Sequence, residues 1–410
     1  MAEIKPEDTS KCQMKKSSTL SALGPEEDSV QRTTFDSGYD VTKGFVDCKG
    51  FFGEYGGFSE TNSQTAAILA DFTQEYLDTK DDEGFIQELN SLQRHWLGRP
   101  TPIYHARGLS NCLGGGQIYL KREDLAHTGA HKINHCLGEA LLAKKMGKSR
   151  VITETSGIHG ICLASAAAVV GIKCEVYIGE NDWAAKKDDI AKMRMMGAKV
   201  VKVTSGQKNL KEAADKVFDI FVNDSSNTFY AYSTIAGPQP FPTIVKDLQC
   251  IVGEEAREQI VTVAGRLPDH VCGCVAGGSN ALGIFQCFLT DDDVKLYAIE
   301  PEVNTDAVNL GNPGAGYMES FALLHEINYV QASEADVASA FVSLAKYDGI
   351  TPNWESCYAL AQAIRLAPQC SKDEIILVNL SGRGDQNDCN KALKHCGLDF
   401  SDTPDDVLDT

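Results

Sequence analysis

The chain has 410 residues, 43% of them hydrophobic, enough to fill two cores. Its 57 acidic residues outweigh 38 basic ones, for a net charge of −19, so nucleic acid and anionic membrane surfaces are poor partners. No apolar run reaches the length of a membrane span.

Residues 1–44 are rich in Lys, Glu, Asp, Ser and Thr and read as a flexible arm. Met1-Ala-Glu-Ile-Lys-Pro-Glu-Asp8 lacks the apolar core of a signal peptide, and the arm's acids set it apart from a transit peptide. Phe52-Gly-Glu-Tyr-Gly-Gly57 is a glycine-rich turn. Over 64–97 an apolar stripe (Ala67, Leu69, Phe72, Tyr76, Leu77, Phe85, Leu89, Leu92) recurs at helical spacing, and Gly98-Arg-Pro-Thr-Pro102 ends it.

An apolar strand end at 118–120 runs into the charged turn Lys121-Arg-Glu-Asp124. A helix then begins near Ala130 and continues through Leu137, Ala140, Leu141 and Leu142. Lys132 falls in its first turn, where aligned amides disfavour a nearby ammonium. In a pocket poor in water, such a lysine has a lowered pKa suited to a Schiff base. A surface lysine satisfies the same spacing.

Beyond it, strands are expected at 151–153, 174–178, 199–203, 271–275, 295–299 and 374–380, and helices at 160–170, 190–196 and 208–222. This alternation implies α/β architecture with a parallel, helix-covered sheet. Three strand-to-helix turns carry candidate chemistry. Val275-Ala-Gly-Gly-Ser-Asn280 has small residues whose amides can close on a phosphate, although a plain turn fits as well. Thr153-Glu-Thr-Ser-Gly-Ile-His-Gly160 places an acid at a helix start, where capping is the ordinary role. Asn379-Leu-Ser-Gly-Arg-Gly-Asp385 is a glycine turn after a strand. Residues 399–410 form an aspartate-rich exposed tail. The 14 cysteines include no Cys-x-x-Cys pair. Cys272 and Cys274 share a strand face, but two thiolates do not close a zinc site. Buried thiols in a reducing, cytoplasmic compartment and no metal site are expected.

Leu120-Lys-Arg-Glu-Asp-Leu-Ala-His-Thr-Gly-Ala-His-Lys132 resembles the cofactor-lysine segment of the tryptophan synthase β-chain family, within the fold-type II pyridoxal-phosphate enzymes. The likeness runs from about 52 to 300 and from about 329 to 385. It implies two three-layer α/β domains with mostly parallel sheets, 45–98 plus 131–247 and 99–130 plus 248–398, with pyridoxal 5′-phosphate between them. By the same resemblance Lys132 holds the cofactor, with His131 beside it, and removes the substrate's Cα proton. Gly277, Gly278, Ser279 and Asn280 form the phosphate cup, with Ala276 where the family has its first glycine. Ser381 faces the pyridine nitrogen, Thr234 lies on the cofactor side and Glu355 lies near the ring oxygen.

Glu154 matches the family's acid–base carboxylate, and desolvation beside the cofactor raises the pKa of such a group. Thr155, Ser156, Gly157 and His159 match the loop for the substrate carboxylate, here one residue shorter and without the family's glutamine. Between Glu300-Pro301 and Tyr329 the family carries a few dozen more residues. They hold a substrate-selecting aspartate, part of a monovalent-cation site and a surface for the α chain. The implied activity is a lyase-type β-replacement through an aminoacrylate, serine plus indole giving tryptophan, by a homodimer. The departures leave a second expectation: β-elimination, or replacement with another nucleophile, without an α-chain partner.

Overall fold

The computed structural model describes residues 51–52, 55–56, 63–235, 237–302 and 327–397. The expected arm at 1–44, the tail at 399–410 and the shortened stretch at 303–326 lie outside the described residues, as do Gly53, Glu54 and Gly57 of the glycine-rich turn. That turn is flanked by a two-residue antiparallel pair, β1 (Phe51–Phe52) and β2 (Tyr55–Gly56).

Alternation of strand and helix resolves into two sheets rather than one. The larger is built from β3 (Ile103–His105), β4 (Gln117–Lys121), β9 (His270–Cys274), β10 (Lys295–Pro301), β11 (Asn328–Ala332) and β12 (Ile375–Asn379). The smaller holds β5 (Arg150–Glu154), β6 (Lys173–Gly179), β7 (Lys199–Val203) and β8 (Thr228–Tyr230). Their orders are β11-β10-β9-β12-β4-β3 and β7-β6-β5-β8. Every pairing in them is parallel except the edge pair β3–β4. The six strands expected beyond Lys132 all appear, each shifted by at most two residues at an end. β3, β8 and β11 had no such signal: two span three residues, too short to show a period, and β11 is a half-exposed edge.

Parallel strands covered on both sides must be apolar on both faces. On β12, Ile376 and Val378 enter one core and Ile375 and Leu377 the other, as alternation demands. The smaller sheet packs against a third core, where Phe72 meets Phe221 and Phe229 edge-on, each at 5.1 Å. Ring pairs of this kind contribute about 1 kcal/mol each beyond their buried area.

The helix expected over 64–97 is interrupted. It forms as Ser63–Lys80 and Glu83–Leu92, followed by a π-helical turn Gln93–Leu97. Asp82 caps the second helix through Phe85 N. The cofactor-lysine helix starts later than periodicity suggests. Ala130 is extended and bridges Gly382, and the helix is Lys132–Lys145.

The charged turn 121–124 is also not a surface turn. Lys121 and Glu123 are fully buried. Arg99 donates to both Glu123 oxygens at 3.0 Å, and Lys121 Nζ lies 2.6 Å from Glu255. Asn134 Nδ2, in the helix's first turn, donates to Glu123 at 2.8 Å. A buried ionic network therefore fixes the base of the helix that carries Lys132.

Candidate active site

The carboxyl ends of β4, β5, β9 and β12 each deliver one part of the site, as expected for parallel α/β sheets. Two backbone segments are joined first. His131 N donates to Ser381 O at 2.9 Å, and Arg383 N donates to Gly129 O at 2.8 Å. This short ladder seats the start of the lysine helix against the turn after β12.

Side chains extend the junction. Lys132 Nζ donates to Ser279 Oγ at 2.9 Å and also to the Ser233 carbonyl. His131 Nδ1 lies 3.2 Å from Ser381 O, and its Nε2 lies 3.1 Å from Ser279 Oγ. A carbonyl only accepts, so Nδ1 carries the proton and Nε2 accepts from the Ser279 hydroxyl. Ser279 in turn accepts from Lys132. Burial, then the Lys132 charge, pushes the His131 pKa down to about 3, so the ring is neutral. Lys132 itself is half-buried, and burial is the leading cause lowering its pKa.

Glu154 ends β5 and is 4% exposed. Tyr230 OH donates to its Oε2, and Ser233 Oγ donates to Oε1 at 2.8 Å. Burial raises its pKa against those two hydrogen bonds and the Lys132 charge. Both Lys132 and Glu154 thus contact Ser233, one through its carbonyl and the other through its hydroxyl.

The 275–280 turn leads from β9 into the helix Ser279–Phe285. Gly278 has φ +79°, and a Cβ on Gly277 would sit 2.8 Å from Thr234 Cγ2. Small residues are therefore required at both positions. The Asn280 side chain is turned to the sheet, donating to Cys274 O at 3.1 Å and accepting from Asn379 at 2.5 Å. Only its backbone remains for the cup.

Ser381 Oγ meets Ser356 Oγ at 2.9 Å. Ser356 donates its own proton to Asn353 Oδ1, so Ser381 is the donor in that pair. Glu355 sits apart from this pair. It is an exposed first-turn acid of the helix Trp354–Leu366, accepting from Asn353 Nδ2 at 2.8 Å. In the loop after β5, Thr155 Oγ1 accepts from Gly157 N and Gly160 N at 2.9 and 3.1 Å and shapes the turn. Ser156 is exposed. His159 faces the core, at 3.0 Å from Thr153 Oγ1 and 3.4 Å from Cys136 Sγ.

Residues 97–382 match the family model described as pyridoxal-phosphate dependent enzyme. The chain is 42% identical to tryptophan synthase beta chain 1 of Wolinella succinogenes, over 84% of this chain and 95% of that one. It is 39% identical to the tryptophan synthase beta chain of Acinetobacter calcoaceticus, with the same coverage. The chain belongs to the tryptophan synthase β-chain family of pyridoxal-phosphate-dependent enzymes. Among solved structures, the fold is similar to threonine deaminase isoform 2 of Solanum lycopersicum, with TM-score 0.61, 18% identity and 78% and 90% of the two chains covered. It is likewise similar to diaminopropionate ammonia lyase of Escherichia coli, with TM-score 0.59, 20% identity and 77% and 90% covered.

As a member of this family the chain is a lyase whose cofactor is pyridoxal 5′-phosphate, and its residues fit that group. An amine held on Ser279, a turn whose Gly277 has no room for a Cβ beside Thr234, and Ser381 are tied together through His131. Reading the sequence did not reveal Tyr230, Ser233 or Ser356, which position Glu154, Lys132 and Ser381. Their ties span 76, 79, 101 and 25 residues, beyond any local pattern. Lys186 was missed as well, and its ammonium stands 3.2 Å from where a Gly157 Cβ would be, over the loop after β5. Among the described residues no helix is long and apolar enough to cross a membrane.

Proposed function

We propose that this enzyme replaces the β-hydroxyl of L-serine with indole, giving L-tryptophan and water. The observation that carries this reading is the meeting of Lys132 and Glu154 on Ser233, an amine with lowered pKa beside an acid with raised pKa. When bound, pyridoxal phosphate supplies the electron sink for breaking the Cα–H bond. Lys132 would hold the cofactor through Nζ and, with the substrate bound, would take the Cα proton at that atom. Glu154, protonated, gives its proton to the departing hydroxyl as the Cβ–O bond breaks.

The amides of Gly277, Gly278, Ser279 and Asn280 would hold the phosphate, with His131 and Thr234 against them. Ser381 would turn its one hydroxyl proton from Ser356 Oγ to the ring nitrogen, and Glu355 is assigned to the ring's opposite edge. Thr155, Ser156 and Gly157 would receive the substrate carboxylate, which the Lys186 ammonium beside Gly157 supports, while His159, turned to Thr153 and Cys136 in the core, would only brace that loop. We assign the sheets to two domains, 45–98 plus 131–247 and 99–130 plus 248–398, the smaller sheet in the first and the larger in the second. A cytoplasmic homodimer working without an α chain is the assembly we infer. Identities of 39–42% over 95% of the relatives favour replacement over the elimination reading.

The test is product analysis of the purified holoprotein given L-serine, with and without indole. Tryptophan is expected with indole, and Lys132→Ala is expected to make none and to lose its cofactor on dialysis after borohydride reduction. Pyruvate without tryptophan would reject the assignment.

A further inference from the structure

At the end of the larger sheet opposite the active site, three unlike donors converge. His270 is the first residue of β9, and Cys370 and Glu374 bracket the turn leading into β12. The His270 Nε2 atom lies 3.5 Å from Cys370 Sγ and 3.4 Å from Glu374 Oε1. All three donor atoms lie within 4.8 Å of one another. We propose that His270, Cys370 and Glu374 form a zinc site that clamps the start of β9 to the turn before β12.

The spacings suit a ligand set as well as they suit a weakly hydrogen-bonded cluster. An N–H···O hydrogen bond is ordinarily about 2.7–3.2 Å long, so 3.4 Å is long for one. Around a tetrahedral zinc ion, ordinary bond lengths place nitrogen about 3.6 Å from sulfur and about 3.3 Å from oxygen. The observed pairs match those separations.

The ligands are also held in place. Ser371 N donates to Glu374 Oε2 at 2.6 Å, which leaves Oε1 turned to His270. A Cβ on Gly116 would fall 2.9 Å from Cys370 Cβ, so the turn is packed against the strand beside it. The His270 side chain is 5% exposed and that of Glu374 35%, which leaves an entry path and room for a water as fourth ligand. One imidazole, one thiolate and one carboxylate suit a borderline ion such as Zn²⁺ over calcium or magnesium. Binding releases the Cys370 thiol proton to solvent and involves no redox change.

β9 spans roughly 13 Å from His270 to Cys274, at about 3.3 Å per residue. The site is thus separated from the phosphate cradle and acts as a structural brace. A second cluster, His135, Cys136 and His159, is fully buried. One nitrogen of each ring is taken, Gln249 Nε2 donating to His135 Nδ1 at 2.6 Å and His159 Nε2 meeting Thr153, and full burial leaves this cluster without the entry path that Glu374 gives the other.

The test titrates the chelator-treated, full-length holoprotein with Co²⁺ and then Zn²⁺. We expect one Co²⁺ per chain, with a thiolate-to-cobalt charge-transfer band and strong visible bands of tetrahedral geometry, both bleached by an equivalent of Zn²⁺. Zn²⁺ is expected to raise the Tm of the natural protein and leave kcat unchanged. Cys370→Ser should abolish the charge-transfer band. Glu374→Gln, at a partly exposed position, should weaken binding at least about tenfold and is decisive should Cys370→Ser fail to fold. Absence of the bands in the natural protein, their persistence in both variants, or their loss instead in Cys136→Ser overturns the proposal.

Discussion

Ser233 serves two partners at once, accepting from Lys132 Nζ through its carbonyl and donating to Glu154 through its hydroxyl. Glu139 supports this arrangement from the Lys132 helix. Its Oε1 accepts from Tyr232 N at 3.1 Å, which fixes the peptide before Ser233. Burial raises the Glu139 pKa well above the ordinary range, so it serves as a neutral brace. Glu154→Gln is expected to lower kcat by about 10²-fold or more, the scale of general acid catalysis, and an unchanged rate would move the acid elsewhere. The acid must be protonated to act, so kcat falls as pH rises through the raised pKa of Glu154. Tyr230 OH stabilises the charged carboxylate. Tyr230→Phe should therefore shift the alkaline limb of the kcat–pH profile to higher pH. A limb that stays in place, or moves down, contradicts the assignment.

Between elements, the strongest tie is the buried ionic network beneath the lysine helix. Arg99 pairs with Glu123 at 3.0 Å and Glu255 at 2.8 Å, and Lys121 pairs with Glu255 at 2.6 Å. These groups come from the loop before β3, from β4 and its following turn, and from the helix Ile251–Ala264. Breaking such a pair strands a buried charge, which outweighs any single hydrogen bond. Glu255→Ala should cost about 3–5 kcal/mol in unfolding free energy, read from the denaturant midpoint at constant m. A loss under about 1 kcal/mol would show that Glu123 alone satisfies both cations. The lysine helix is also pressed against the helix Phe241–Gln249, where a Cβ on Gly138 would lie 2.3 Å from Leu248 Cδ2.

For the molecule as a whole, the same network sets a limit on acid stability. Burial would raise the Glu123 pKa, but Arg99 and Lys121 overcome it and hold the carboxyl down at about 2. An unfolded glutamate titrates near 4.3. The folded pKa is depressed, so the stabilisation is present above about pH 4.3 and is lost as pH falls toward about 2. Its size is about 3 kcal/mol. A plot of Tm against pH should fall steeply across that window, and Glu123→Gln should be less stable at neutral pH but flatter below pH 4.3. An equally steep fall in the variant would assign the acid sensitivity to other carboxylates.

Much of this was legible in the residues. Leu120–Lys132, the 275–280 turn and the 379–385 turn each pointed to one part of the site, because short-range chemistry dictates their composition: glycine where φ is positive, and small residues where backbones approach. Strands such as Lys199–Val203 were visible through β-branched runs. The helices Glu334–Asp348 and Gln386–His395 were not expected, although each begins with a capping box, Ser333 with Asp336 and Asp385 with Asp388.

Other features had no local signature. Nothing local to the charged turn 121–124 marks its burial, because it depends on Arg99, Asn134 and Glu255, which come from other segments. Lys132 was expected to have a lowered pKa from its helix position and a pocket poor in water, and burial proves the leading cause. Within the sequence by itself, likeness to a known family carried the family and the cofactor, and local spacing carried the alternation of strand and helix around Lys132, though not β3, β8 or β11. Only the tertiary structure decided which sheet each strand joined, which acid met which hydroxyl and which charges were buried. Those outcomes depend on long-range packing and dielectric environment, which no short stretch of residues encodes.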